Sequence, residues 1–161
     1  MEDVVGEELR TRGLTISVAE SCTGGLIGNL LTDAPGSSDY FMGGMVVYSN
    51  RSKMEFLNVS EATIVKEGAV SEGTVREMTE GVKKKMGTDI GLAVTGIAGP
   101  AGGSVEKPVG TVHIGLSTEK ETLSGKYRFW GTRKQIKINT AMMALDWVRR
   151  YLNGDPFLSG V

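Results

Sequence analysis

The stretch Ile90-Gly91-Leu92-Ala93-Val94-Thr95 runs directly into Gly96-Ile97-Ala98-Gly99-Pro100-Ala101-Gly102-Gly103-Ser104, and the fold class turns on this passage. Leu92, Ala93 and Val94 are apolar in succession, without alternation, as expected of a strand covered on both faces. Such a strand needs a helical layer above and below it. The glycine-rich segment leaves its carboxyl end, where ligands collect in open α/β sheets. Outward from it, strand character recurs at Leu14 to Ala19, Gly44 to Tyr48, Gly110 to Leu116 and Leu123 to Trp130. Runs 110–116 and 123–130 have no helix between them and read as a hairpin. The sequence therefore predicts an α/β fold, a three-layer α/β/α sandwich with a mixed, mostly parallel sheet.

Helical patterns fill the intervals. Leu26, Ile27, Leu30 and Leu31 recur at helical spacing until Asp33-Ala34-Pro35-Gly36 stops them. From Ser71 to Met86, Val75, Met78, Val82 and Met86 make one apolar stripe, with Ser71 as N-cap and Lys83-Lys84-Lys85 at the carbonyl end, where cations are favoured. The final helix spans Thr132 to Leu152. Thr132 and Gln135 have capping-box spacing, and Ile138, Ala141, Met142, Leu145, Val148 and Leu152 are its expected buried face. Trp147 and Met142 suit either the core or a subunit interface. Asn153 to Val161 reads as a surface extension.

The chain has 161 residues and 17.2 kDa, which suits one domain over 1–161. With 18 basic and 19 acidic residues, the net charge of -1 gives no electrostatic reason to bind nucleic acid or a membrane. Cys22 is the only cysteine and His113 the only histidine, so neither an internal disulfide nor a zinc site is expected, and a reducing compartment fits. Met1-Glu2-Asp3 lacks the basic and apolar regions of a signal peptide. The longest uncharged run, Ile90 to Val105, is broken by glycines and Pro100. The expectation is a cytoplasmic protein without a cofactor or metal.

Three segments and one further residue could carry chemistry. Ala19-Glu20-Ser21-Cys22-Thr23-Gly24-Gly25 lies between a strand and a helix, so Ser21 falls where side chains emerge from a strand end. The amides that follow suit an oxyanion or a phosphate. The same composition equally fits a plain helix cap. Cys22 reads as a small buried residue rather than a nucleophile. In Tyr48-Ser49-Asn50-Arg51-Ser52-Lys53, a helix N-terminus near Lys53 would lower its pKa and help it act as a neutral base, though most lysines are simply exposed. Thr95 to Ser104 could bind phosphate or ribose through backbone amides, or be a structural crossover; it is neither a Walker A loop nor a dinucleotide fingerprint. Arg133, at the unfavourable end of a helix dipole, is either an exposed side chain or a sign of a nearby anion.

Together these segments, with Gly68-Ala69-Val70-Ser71, Gly102-Gly103-Ser104 and Lys107-Pro108-Val109-Gly110-Thr111-Val112, resemble the CinA C-terminal-domain family, also known as nicotinamide-nucleotide amidase. The resemblance spans about residues 4 to 152. It implies deamidation of nicotinamide mononucleotide to nicotinic acid mononucleotide and ammonia, in NAD salvage. Ser21 would be the nucleophile, Lys53 its base and Tyr48 a proton relay or orienting group. Glu20, Thr23, Gly24, Gly25, Asn50, Thr95, Gly96, Gly99 and Arg133 would form the substrate-binding set, with the amides of Thr23 to Gly25 holding the oxyanion. Many members carry a larger N-terminal domain; the chain reads as a standalone form, and a homo-oligomer is expected. Two other readings stay open: a non-catalytic nucleotide-binding or competence-related interaction protein, and an amidase for a different small amide.

Overall fold

A computed structural model describes residues 1–155. The elements in chain order are α1 (Glu2–Arg12), β1 (Ile16–Glu20), α2 (Leu26–Asp33), β2 (Phe41–Val46), α3 (Asn50–Leu57), α4 (Glu61–Glu67), α5 (Glu72–Met86), β3 (Ile90–Gly96), β4 (Thr111–Ser117), β5 (Thr122–Arg128) and α6 (Arg133–Asn153). The five strands form one sheet in the order β2-β1-β3-β4-β5. β1 pairs in parallel with β2 and β3, whereas β4 pairs antiparallel with β3 and with β5. Only β4 thus runs against the rest, and the expected mixed, mostly parallel α/β/α sandwich is what forms.

The pleat explains the layers. Ile16 and Val18 on β1, Ile90, Leu92 and Val94 on β3, and Val112, Ile114 and Leu116 on β4 point to one face, where they meet Val5, Leu9, Ile27, Leu31, Leu145 and Val148 of α1, α2 and α6. The opposite face carries small residues, Ala19 and Ala93 among them, beneath Val75, Met78 and Val82 of α5. Gly91 and Gly115 let α5 lie against the strands. A Cβ on Gly91 would stand 2.3 Å from the Thr79 carbonyl oxygen, and the Thr79 hydroxyl donates to the Gly91 carbonyl at 2.6 Å.

Two sequence expectations change, and a helix is added to those expected. Residues 2–12 form a helix anchored by Val5 and Leu9, an i, i+4 pair too sparse to stand out among the charges. β2 lies earlier than Gly44 to Tyr48, because as an edge strand it alternates half-buried and exposed positions, and it accommodates Gly43-Gly44 within the strand. On α6 the buried face is Ile136, Thr140, Ala141, Ala144, Leu145, Trp147, Val148 and Leu152; Ile138 is exposed and Met142 half-buried, since the helix contacts the sheet on one side and α1 and α2 on another. Trp147 is a core residue whose indole N–H donates to the Tyr127 hydroxyl at 2.7 Å. The Ser71 cap and the Thr132–Gln135 capping box are both present. Of the expected tail, Asn153 closes α6, and 156–161 lie outside the described residues.

The chain route fixes the position of the site. From β1 it passes through α2 to β2 on one side, then through α3, α4 and α5 to β3 on the other. β1 is therefore the strand from which the chain departs in both directions, a switch point of the kind where crevices open at strand carboxyl ends. Ser21 is the first residue beyond it.

Candidate active site

Glu20 ends β1 with 1% exposure, and its carboxylate accepts the N–H groups of Gly25 (3.0 Å), Ile27 (3.1 Å) and Gly28 (2.8 Å) at the start of α2. A negative charge among unpaired helix amides is stabilising. The sequence resemblance places Glu20 in the substrate-binding set; in the structure its carboxylate fixes the turn that follows, with every hydrogen bond it accepts coming from the start of that helix. Within the turn, the Ser21 amide donates to the Val94 carbonyl at 3.1 Å, and the Gly24 amide donates to the Ser21 carbonyl at 3.2 Å. The amides of Gly24 and Gly25 are thereby engaged, which corrects their assignment to an oxyanion site. Those of Cys22 and Thr23 make no hydrogen bond to another residue among the described residues.

Lys53 reaches this turn from α3. Ser49 caps that helix in a capping box with Ser52, so Lys53 falls at its fourth position and turns inward, 1% exposed. Its ammonium donates to the Val47 carbonyl at 2.8 Å, the Tyr48 carbonyl at 3.2 Å and Ser21 Oγ at 3.0 Å. No carboxylate offsets the charge within this group of contacts. Burial therefore lowers the Lys53 pKa from 10.5 to about 8. Loss of hydration, rather than the helix dipole expected from the sequence, is the main cause. Cys22 moves the other way, since burial raises its thiol to about 11, which leaves it protonated near neutral pH.

Ser21, Cys22, Tyr48, Lys53, Ala69, Val70, Thr95, Gly96, Ala98 and Arg133 line a cavity of about 190 Å³. Thr95 is buried, with its hydroxyl donating to the Ala69 carbonyl at 2.8 Å, so it ties the 68–71 segment to β3. Tyr48 is exposed, and its hydroxyl accepts from Arg133 at 3.0 Å. The other side of that guanidinium donates to the Gly99 carbonyl at 2.7 Å. Arg133 thus joins the cavity wall to the glycine-rich loop. Six expected residues lie outside the lining: Glu20 ends β1, Thr23, Gly24 and Gly25 belong to the turn after it, Asn50 opens α3 in an exposed position, and Gly99 takes part through its carbonyl. Thr23 is 1% exposed, and its hydroxyl is a buried polar atom without a hydrogen-bond partner among the described residues.

His113 lies on β4, with burial lowering its pKa to about 4, and it does not line this cavity. A Cys22–His113 pair therefore has no geometric basis. Among the described residues no group of three or more His, Cys, Asp or Glu side chains could hold a metal ion, and no helix is long and apolar enough to cross a membrane. The carbonyls that hold Lys53 and Thr95 were not legible beforehand, because backbone acceptors leave no residue-type signature.

Comparison with known proteins adds a family to this geometry. Residues 1–152 match the family described as CinA C-terminal domain. The chain is 51% identical over 154 residues to a "CinA-like protein" of Thermotoga sp. (strain RQ2), and 52% identical over 155 residues to a "CinA-like protein" of Desulfotalea psychrophila (strain LSv54 / DSM 12343). Each alignment covers 96% of this chain, which spans 38% of the length of these curated relatives. Among solved structures, a CinA superfamily protein of Klebsiella pneumoniae 700603 superposes with a TM-score of 0.92 at 30% identity, over 95% of this chain and 96% of that one. The competence/damage inducible protein CihA of Agrobacterium tumefaciens gives 0.88 at 38% identity, over 94% and 95%.

Proposed function

Because this chain belongs to the CinA C-terminal domain family, we propose that its cavity is the active site of a Ser-Lys amidohydrolase that deamidates nicotinamide mononucleotide. The observation that carries the reading is the buried Lys53 Nζ, 3.0 Å from Ser21 Oγ. A neutral lysine keeps two N–H groups and one lone pair. The Val47 and Tyr48 carbonyls take the two N–H groups, which turns the lone pair toward the Ser21 hydroxyl proton.

The reaction then proceeds by acyl transfer. Lys53 removes the hydroxyl proton as Ser21 Oγ bonds to the carboxamide carbon. The amides of Cys22 and Thr23 are the donors left for the oxyanion; loss of one such donor typically costs about 2.7–4 kcal/mol in the transition state. The C–N bond breaks as Lys53 returns the proton to nitrogen, and ammonia leaves. Water, deprotonated by the same amine, cleaves the ester and restores Ser21. Tyr48, whose oxygen already accepts from Arg133, keeps its own O–H free to orient the carboxamide.

The test is ammonia release from nicotinamide mononucleotide, with chelator present, by the wild type, Ser21→Ala and Lys53→Ala. Release by the wild type alone is the expected result. No release by a folded wild type would leave a non-catalytic binding protein as the better reading.

A further inference from the structure

The cavity at Ser21, at about 190 Å³, is smaller than the roughly 300–1,000 Å³ of pockets that enclose a whole small ligand. It suits a reacting carboxamide and its ring, and the rest of a larger substrate must lie outside. Next to it is a groove of about 490 Å³ between the start of α2 and the first two turns of α6, lined by Leu26, Arg133, Lys134, Lys137 and Ile138. Arg133 lines both spaces and so forms the wall they share.

The groove is charged in an unusual way. Leu26 and Ile138 give it apolar surface, and the other three side chains are cationic. The guanidinium of Arg133 is held by Gly99 and Tyr48, but Lys134 and Lys137 make no hydrogen bond or ion pair among the described residues. From Thr122 to Leu145 the chain contains no acidic residue at all. Arg133 and Lys134 also occupy the first turn of α6, where the helix dipole disfavours cations. Lys137 leans toward the catalytic turn: a Cβ on Gly24 would stand 3.6 Å from its Nζ. Two free ammonium groups beside apolar surface, adjoining a catalytic cavity, match a dianion carried on a partly apolar body.

We propose that this groove seats a phosphomonoester group of the substrate, held by Lys134 and Lys137, so that the substrate runs from Ser21 past Arg133 to α6. The phosphate-reading role thus passes from Arg133 to these two lysines, and Arg133 acts as the strut between the two spaces. The assignment of the reacting end rests on the amidase reading; the anion site does not.

The experiment therefore has two arms. Calorimetric titration with ribose 5-phosphate should show binding to the wild type and to Ser21→Ala. Lys134→Gln/Lys137→Gln should bind about 10- to 100-fold more weakly, as expected for losing hydrogen bonds to a charged group. Arg51→Gln, which removes an exposed cation on α3, controls for overall charge. In the kinetic arm, the ratio of kcat/KM for nicotinamide mononucleotide to that for nicotinamide riboside should fall by the same factor in the double lysine variant and stay unchanged in Arg51→Gln. No binding of ribose 5-phosphate to the wild type, equal binding by the double variant, or an unchanged ratio would overturn the proposal. Lysine-dependent binding without ammonia release from any amide would uphold the anion site while removing the amidase reading.

Discussion

Lys53 should titrate near pH 8 in two experiments that share no chemistry. Burial has moved its pKa from 10.5 to about 8. At pH 7 about one lysine in ten is then neutral, against about one in 3,000 for an exposed lysine, a gain in available base of about 300-fold. If the neutral amine is the base, log kcat/KM for ammonia release should rise with unit slope to about pH 8 and then level. Stability gives the second readout. Below pH 8 both folded and unfolded chains hold the Lys53 proton; above 10.5 neither does. Between them the unfolded chain binds more protons, so folding stability rises with pH through that window. The separation between about 8 and 10.5 corresponds to about 3 kcal/mol. Lys53→Met lacks the titration, so urea denaturation of wild type minus Lys53→Met isolates it: the difference should shift by about 3 kcal/mol in favour of the wild type between pH 8 and 10.5. A flat difference, or a rate profile still rising at pH 10, would refute the claim that burial prepares the base.

Other residues give further expectations. Glu20→Gln turns an NH2 group toward helix amides that now donate to a carboxylate, and should cost about 3 kcal/mol, or about 6–12 °C in Tm, by thermal denaturation. Tyr48→Phe and Arg133→Gln each remove the same 3.0 Å hydrogen bond, so in a double-mutant cycle their effects on kcat/KM should be less than additive by about 1 kcal/mol or more, with Tm nearly constant. Thr23→Val replaces a buried hydroxyl that has no partner with a methyl group, and should raise stability by about 1 kcal/mol in urea denaturation; a loss of stability would mean that the hydroxyl is bonded after all.

Much of the fold could be read in advance where pattern and environment agree. Leu92-Ala93-Val94 is apolar without alternation because β3 is buried on both faces, and the caps at Ser71 and Thr132 use local chemistry that sequence spacing displays. α1 escaped notice because only Val5, Gly6 and Leu9 among its eleven residues are buried. Gly91 and Gly115 serve helix–sheet contact, a use of glycine that no turn or loop signal in the sequence marks. At the site, Ser21, Lys53, Tyr48, Thr95 and Arg133 do converge on one cavity. What sequence could not display was the direction of each side chain. Glu20 turns to α2 because the pleat sends it to the face of Ile16 and Val18, and Arg133 is engaged by a carbonyl and a phenol from distant segments. The unpartnered state of Lys134 and Lys137 was half legible, in the acid-free run from Thr122 to Leu145.

Covalent catalysis by Ser21 is the central claim, and acid-quenched mass spectrometry of the enzyme turning over nicotinamide mononucleotide tests it most directly. The expected result is an adduct of substrate mass less ammonia on the peptide that contains Ser21, absent from Ser21→Ala and slow to form in Lys53→Met. The same adduct on Cys22, its persistence in Ser21→Ala, or steady ammonia release with no adduct at any time would contradict it.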